Sequence, residues 1–293
     1  MLIKRLAIIG VGLIGGSLAR ALRDADEVGE VVGCGRGKEN LEQAVQLGVI
    51  DSYSHEAGVA VEDADMVFLA VPLGVMRQTF AAIKGHLMDG SVVTDGGSAK
   101  GSVVEDCQAV FGHDLPGFVP GHPIAGTENS GVEASFAELY QNRRIILTPT
   151  ESTSSAALQK VTSMWEICGS DVTCMSVQHH DEVLAATSHL PHMLAFALVD
   201  SLARMKENDE IFRYAAGGFR DFTRIASSSP VMWRDICIAN RKALSSIMKS
   251  YSHDMADLAD TISRGDGEHL LEIFERAKES RDRYIDGIMD SSE

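Results

Sequence analysis

The sequence predicts an α/β domain built on a parallel sheet, residues 1–176, followed by an all-α domain, residues 177–293. Three observations carry that prediction. Short apolar runs alternate with helix-patterned segments through the first half of the chain, and strand–helix–strand alternation implies a mainly parallel sheet covered on both faces. A glycine-rich turn joins the first strand to the first helix. After residue 176 the strand signal stops and long helix-like segments fill the remainder.

The strand-like runs are RLAIIG (5–10), EVVGCG (30–35), DMVFLAVP (65–72), SVVTDG (91–96), GFVPG (117–121) and RRIILTP (143–149). They are apolar almost throughout, as strands buried on both faces are. SLARALRDA and ENLEQAVQLG lie between the early runs and have helical periodicity. The C-terminal helical segments are QHHDEVLAATSHLPHMLAFALVDSLARM, PVMWRDICIANRKALSSIMKSYSHDMADLADTISR and GEHLLEIFERAKESRDRYIDGIM.

Composition narrows the function. The chain of 293 residues is 45% hydrophobic, enough for a sizeable core, and carries a formal net charge of −16. Such an acidic chain repels phosphate backbones, so nucleic acid is not expected as a partner. An anionic substrate would need specific local cations. Cys34, Cys107, Cys168, Cys174 and Cys237 are scattered and form no CxxC pair, which suits a reduced, cytoplasmic chain. The apolar N-terminus reads as a strand and not as a signal peptide. No run is expected to span a membrane.

Gly10-Val11-Gly12-Leu13-Ile14-Gly15 directly follows the first strand and opens the first helix. The first glycine permits a tight turn, the second lets backbone approach a pyrophosphate, and the third lets helix and strand pack closely. This Rossmann-type fingerprint predicts a dinucleotide site. Leu13 and Ile14 belong to it, and Val71 and Pro72 at the end of the DMVFLAVP run complete it. An NAD-binding version places an acid at the end of the second strand. Here that position is Gly35, followed by Arg36. Loss of the carboxylate removes repulsion of a 2′-phosphate and Arg36 can pair with one, so NADP is favoured and NAD stays open. Alternatively, Arg36 stacks on the adenine or sits in solvent.

Ser98 in DGGSAK and His122 in GHPIAGTENSG follow neighbouring strand ends, where open parallel sheets bind ligands. Ser98 can hydrogen-bond His122 or a substrate hydroxyl, or it can cap a helix. His122 is expected on a stiff loop. In SHLPH, His189 and His192 are three apart, on one face of a helix. Four histidines in this stretch raise a metal site, but no HExxH or carboxylate spacing supports one. His179 and His180 read as a polar helix start. In GGFRDFTRIASSSPVMWRD, Asp221, Arg224 and Trp233 stand close together in sequence. Arginine suits bidentate carboxylate capture, though such clusters are more often surface ion pairs.

Taken together, IIGVGLIGGSLA, DGGSAK, GHPIAGTENSG, SHLPH and GGFRDFTRIASSSPVMWRDI resemble the prephenate/arogenate dehydrogenase family of tyrosine biosynthesis, in order and over nearly the whole chain. The resemblance implies a helical domain that mediates homodimerisation and oxidative decarboxylation of a small cyclohexadienyl substrate. It implies that His122 is catalytic and engages the ring hydroxyl, with Ser98 supporting it. His192 contacts substrate with His189 nearby, Arg224 binds a substrate carboxylate, Asp221 and Glu128 belong to a polar network at the entrance, and Trp233 lies near the pocket. Gly35 departs from relatives that carry Asp there. Two other readings share the two-domain plan: a β-hydroxyacid dehydrogenase or imine reductase, and a non-catalytic dinucleotide sensor that dimerises.

Overall fold

The computed structural model describes residues 1–112, 115–127, 129–206 and 208–290. The chain divides into two units, Met1–Leu244 and Ser245–Glu293. The first unit is a doubly wound α/β structure with an added helical part. Its elements run β1 (Ile3–Ile9), α1 (Leu13–Asp24), β2 (Val28–Cys34), α2 (Lys38–Gln46), β3 (Ser52–Ser54), α3 (Ala57–Ala60), β4 (Met66–Leu69), α4 (Met76–Ile83), β5 (Val92–Asp95), α5 (Gly101–Phe111) and β6 (Phe118–Val119). All six strands are parallel, in the order β3-β2-β1-β4-β5-β6. Leu6 and Ile8 of β1 pack into one apolar layer, and Ala7 and Ile9 pack into the other. Alternate side chains leave opposite faces of a strand. Burial of both sets is why the run reads as continuously apolar.

The sheet ends sooner than the sequence suggests. GFVPG is not one strand: Pro120 interrupts it, and Gly121–Pro123 forms β7 in a separate sheet with β8 (Arg144–Leu147) and β9 (Asp171–Cys174). β7 pairs antiparallel with β8, and β8 pairs parallel with β9. RRIILTP therefore does not extend the parallel sheet, and His122 stands on a strand and not on a loop. Proline has no N–H to give a ladder, and the chain changes sheets at that residue. Its carbonyl still accepts from Thr148 N at 2.9 Å. β3 and β9, short and polar, carry too little periodicity to be foreseen.

Helix α6 (Ser155–Ile167) lies between β8 and β9, capped by Ser154 through Ala157 N. Then a continuous helical stretch runs through α7 (Val177–Leu184), a π turn over Ala185–His189, and α8 (Leu190–Ala203). Pro191 cannot donate to the carbonyl four residues back, and the widened turn sits directly before it. Contrary to expectation, Val177–Ala203 is long and apolar enough by length and composition to cross a membrane. Its buried His180 and His189 are turned into the protein instead. Helices α9 (Asn208–Arg213), α10 (Gly217–Thr223) and α11 (Pro230–Ala239) follow.

α12 (Arg241–Arg264) starts just after Asn240, which separates it from α11. The long segment beginning PVMWRD is thus two helices. In the second unit α12 ends in a turn at Gly265, φ 68°, and α13 (Gly267–Asp290) follows, its first turn capped by Asp266 through His269 N.

Candidate active site

Two adjoining clefts open at the carboxyl ends of the parallel strands, where this topology places ligands. One, of ≈ 920 Å³, is lined by Gly10, Gly12, Gly35, Arg36, Val71 and Pro72, with Asn40 and His55. The other, of ≈ 520 Å³, shares Gly12, Val71 and Pro72 and adds Leu13, Ile14, Gly15, Ser98, His122, His189 and Trp233. Every residue expected at the cofactor lines one cleft or the other.

The glycine turn fits a dinucleotide for three separate reasons. Gly10 has φ 103°, and a Cβ there would stand 2.3 Å from Ala70 O. A Cβ on Gly12 would meet nothing within 4 Å, so that residue leaves the cleft open for a phosphate. A Cβ on Gly15 would lie 2.4 Å from Gly10 O, so only glycine lets α1 pack this close. Helix α1 has no side-chain cap and no acid in its first turn. Its leading N–H groups and positive dipole end are left for an anion. Arg36 is exposed at the cleft rim. His55 Nδ1 lies 2.9 Å from Gly35 O.

His122 is 7% exposed, and its partner is unexpected. Its Nδ1 lies 2.9 Å from His180 Nε2, and His180 Nδ1 lies 2.8 Å from Asp181 Oδ1. The carboxylate also accepts Lys100 N at 2.8 Å and Gly101 N at 2.9 Å. A carboxylate so engaged is an acceptor only, so His180 donates from Nδ1 and accepts at Nε2. His122 must then donate from Nδ1, which leaves its Nε2 unprotonated. Burial first, then the charges of His180, Lys100 and His189, holds His122 well below the usual imidazole range. Burial lowers His180 too, against the pull of Asp181. His179 and His180 do lie in the first turn of α7, but the polar reading holds for exposed His179 alone and is corrected for His180, which is fully buried behind His122. The carboxylate beside it in HHD does not by itself say which of the two histidines is buried.

Ser98 shares the cleft wall with His122 but is not its Nδ1 partner, nor does it cap α5, which begins at Gly101 with Asp181 receiving its leading N–H groups. Lys100 and Asp95, both fully buried, form an ion pair beneath the site.

His189 presents the opposite polarity to His122. Asn240 Nδ2, held at 2.7 Å by Asp181 O, lies 3.1 Å from His189 Nδ1. Nδ1 is thus the acceptor and Nε2 carries the proton. Burial depresses this group to about 4, so it is neutral at pH 7. His189 Nε2 and Trp233 Nε1 are both buried without a hydrogen-bond partner among the described residues, while the nearby Ser98 backbone raises the proton affinity of the His189 ring. Two donors buried in one cleft wall are thus left unpartnered.

His192 and Arg224 stand behind that wall. The His192 ring stacks on Trp233 with centroids 3.8 Å apart, and its Nδ1 donates to Ser188 O at 2.8 Å. Burial lowers its pKa, the Ser188 carbonyl opposes this, and the nearby Arg224 guanidinium lowers it again. Arg224 and Asp221 are exposed at the end of α10 and do not line the cleft. Glu128 lies outside the described residues.

Comparisons with known proteins identify the family. The family model described as prephenate dehydrogenase, nucleotide-binding domain, matches residues 18–174, and the model described as prephenate dehydrogenase, dimerization domain, matches 176–276. The cyclohexadienyl dehydrogenase of Zymomonas mobilis is 38% identical over 95% of this chain and 95% of its own length. A crystal structure of prephenate dehydrogenase from A. aeolicus, in complex with hydroxyphenyl propionate and NAD+, superposes with a TM-score of 0.89 at 40% identity, covering 95% of this chain and 97% of that one. Synechocystis arogenate dehydrogenase gives a TM-score of 0.81 at 29% identity over 96% and 99% of the two chains. With both halves matched and the glycine turn and histidine cleft in place, the chain belongs to the prephenate dehydrogenase family, NAD(P)-dependent oxidoreductases that oxidatively decarboxylate a cyclohexadienyl acid in tyrosine biosynthesis.

Proposed function

We propose that this chain oxidises prephenate or arogenate with NADP as the favoured cofactor, and that His122 Nε2 is the proton acceptor. The observation that carries the reading is the tautomer chain from Asp181 through His180 to His122, which leaves one lone pair available on the cleft side of a neutral imidazole. The glycine turn and the start of α1 would hold the diphosphate, with Val71 and Pro72 against the nicotinamide end. When bound, the nicotinamide supplies the hydride acceptor.

The substrate ring carries a hydroxyl at one end and a carboxylate at the other. His122 Nε2 accepts the hydroxyl proton as the carbinol carbon is oxidised. The cation so formed shares its Nδ1 proton with His180, whose own proton is held by ionised Asp181, so the new charge is offset without solvent. His189 Nε2 and Trp233 Nε1 offer hydrogen bonds to the substrate. Ile14, Leu73, Met232 and Ile236 make the wall apolar, which keeps water from the carboxylate that departs as carbon dioxide. Arg224, beside His192, attracts the substrate's remaining carboxylate, and Asp221 stands on the helix that ends at Arg224. A net charge of −16 makes such a local cation necessary.

NADP preference rests on Gly35 and Arg36 at the rim. A homodimer is supported by the matched dimerization-domain description and by exposed apolar side chains such as Ile238 and Val231. Five free cysteines suit a cytoplasmic setting. A steady-state assay of prephenate and arogenate, each with NAD and NADP, tests the reading. Turnover of at least one acid is expected, with higher kcat/KM for NADP. Failure of all four pairs would refute the activity, and a clear NAD preference would refute the cofactor assignment.

A further inference from the structure

Both backbone polar groups of Gly121, the residue before His122, are gripped by the buried ion pair. Lys100 Nζ donates to Gly121 O at 2.6 Å, and Asp95 Oδ1 accepts Gly121 N at 3.1 Å. The same carboxylate accepts Gly97 N at 2.8 Å through Oδ2. One ammonium–carboxylate pair thus holds the chain immediately before Ser98 and immediately before His122. The packing leaves no slack: a Cβ on Gly97 would stand 2.8 Å from Asp95 Oδ2, and one on Gly121 would stand 3.0 Å from Asp95 O.

The contacts close a ring. Lys100 binds Gly121 with its side chain, and its backbone N–H binds Asp181. Asp181 holds His180, and His180 holds His122, which follows Gly121. Two strand ends and two helices are tied together at the His122 imidazole, which lines the cleft. A fully buried ion pair is an inefficient way to stabilise a fold, because desolvation offsets most of the attraction and apolar residues of similar volume do as well or better. Its presence here calls for another role.

We propose that Asp95 and Lys100 are positioning residues for the reaction: their pair fixes where Ser98 and His122 stand and places a positive charge behind the His122 ring. The inference rests on reading His122 as the proton acceptor. The groups facing that ring are His180 from α7, His189 from the π turn and Lys100 from the start of α5, with Asp181 behind His180 and Asp95 behind Lys100. Lys100 is the cation among them, and it disfavours the imidazolium. Its removal, with Asp95 left in place, raises the pH at which His122 takes up a proton.

The test is Lys100→Met in the full-length enzyme, with His122→Asn measured alongside. For Lys100→Met the expected result is a kcat lower by about ten-fold or more, a cofactor KM changed by less than about two-fold, and an acid limb of the kcat/KM profile moved to higher pH. Adding Asp95→Asn removes both charges. It should return the limb toward its original position while kcat stays low, because the grip on Gly121 is still lost. A merely structural role scales activity with the folded fraction and does not move the limb, and that result overturns the proposal. Should Lys100→Met not accumulate as folded protein, Asp95→Asn alone keeps the side-chain shape and carries the test. A kcat lower by about ten-fold, with wild-type circular dichroism, supports the proposal, and wild-type kcat overturns it. If His122→Asn keeps wild-type turnover, the acceptor reading itself fails. If His122→Asn is inactive and Lys100→Met behaves as wild type, only the positioning role fails.

Discussion

His122 and His189 are both neutral imidazoles on one cleft wall, yet they offer a substrate opposite things. His180 accepts a hydrogen bond from His122 Nδ1 and so leaves a lone pair on Nε2, while Asn240 donates to His189 Nδ1 and so leaves the N–H on Nε2. The difference is made by groups behind the wall, which is why residue type alone does not assign the roles. Replacing His122 by Asn removes the proton acceptor and leaves a side chain of similar reach. Turnover is expected to fall by about 10²–10⁴-fold, the usual worth of general-base assistance, with both Michaelis constants changed far less. Steady-state kinetics on the purified variant checks this, and turnover within a few-fold of the parent contradicts the assignment. The sequence marks His122 and Ser98 through their neighbours. It does not mark His180, which is 58 residues away and differs from exposed His179 only by helix phase. Which of two adjacent histidines is buried is decided by how α7 packs, and no local pattern contains that.

At the scale of elements, the dinucleotide cleft is the part most legible in sequence, because a strand, a glycine turn and a helix in succession form one local unit. The β7-β8-β9 sheet is the part least legible. Alternation within a strand says which faces are buried but not which sheet the strand joins, and Pro120 moves the chain from one sheet to the next. The end of β2 gives a direct test of the cofactor assignment. Gly35 has room for a side chain, since a Cβ there would lie 3.6 Å from Leu41 Cδ2, an ordinary contact. Gly35→Asp should therefore fold and place a carboxylate where ribose hydroxyls or a 2′-phosphate would sit. Hydrogen bonds to a charged group are worth about 1.5–3 kcal/mol, and the same carboxylate repels a phosphate. The ratio of kcat/KM for NAD over NADP should rise by about ten-fold or more. An unchanged ratio means that Gly35 and Arg36 do not read the ribose.

For the molecule as a whole, three buried histidines link function to acid stability. His122, His180 and His189 all have lowered proton affinity in the folded chain, burial being the largest cause for each. In the unfolded chain each would titrate near pH 6.5. Below that pH the unfolded state binds protons that the native state refuses, so stability is present above about pH 6.5 and is lost as pH falls toward the native values. For His189 the native value is about 4, so its window runs from about 6.5 down to about 4. Each group inside its window contributes a slope of about 1.4 kcal/mol per pH unit. A competing effect has the opposite sign: the net charge of −16 relaxes as pH approaches the pI of 5.0, and lower self-repulsion stabilises the compact state. Charges spread over a surface are screened by salt, whereas a histidine buried with fixed partners is screened much less. Thermal unfolding at high salt should therefore show a midpoint that is nearly level above pH 7 and falls steadily between pH 6.5 and 4. His189→Asn cannot take up a proton, so its stability should fall with a shallower slope across the same window, whatever its stability at neutral pH. Parallel slopes for parent and variant would mean that His189 titrates alike in the folded and unfolded chain, and that its burial does not hold it neutral.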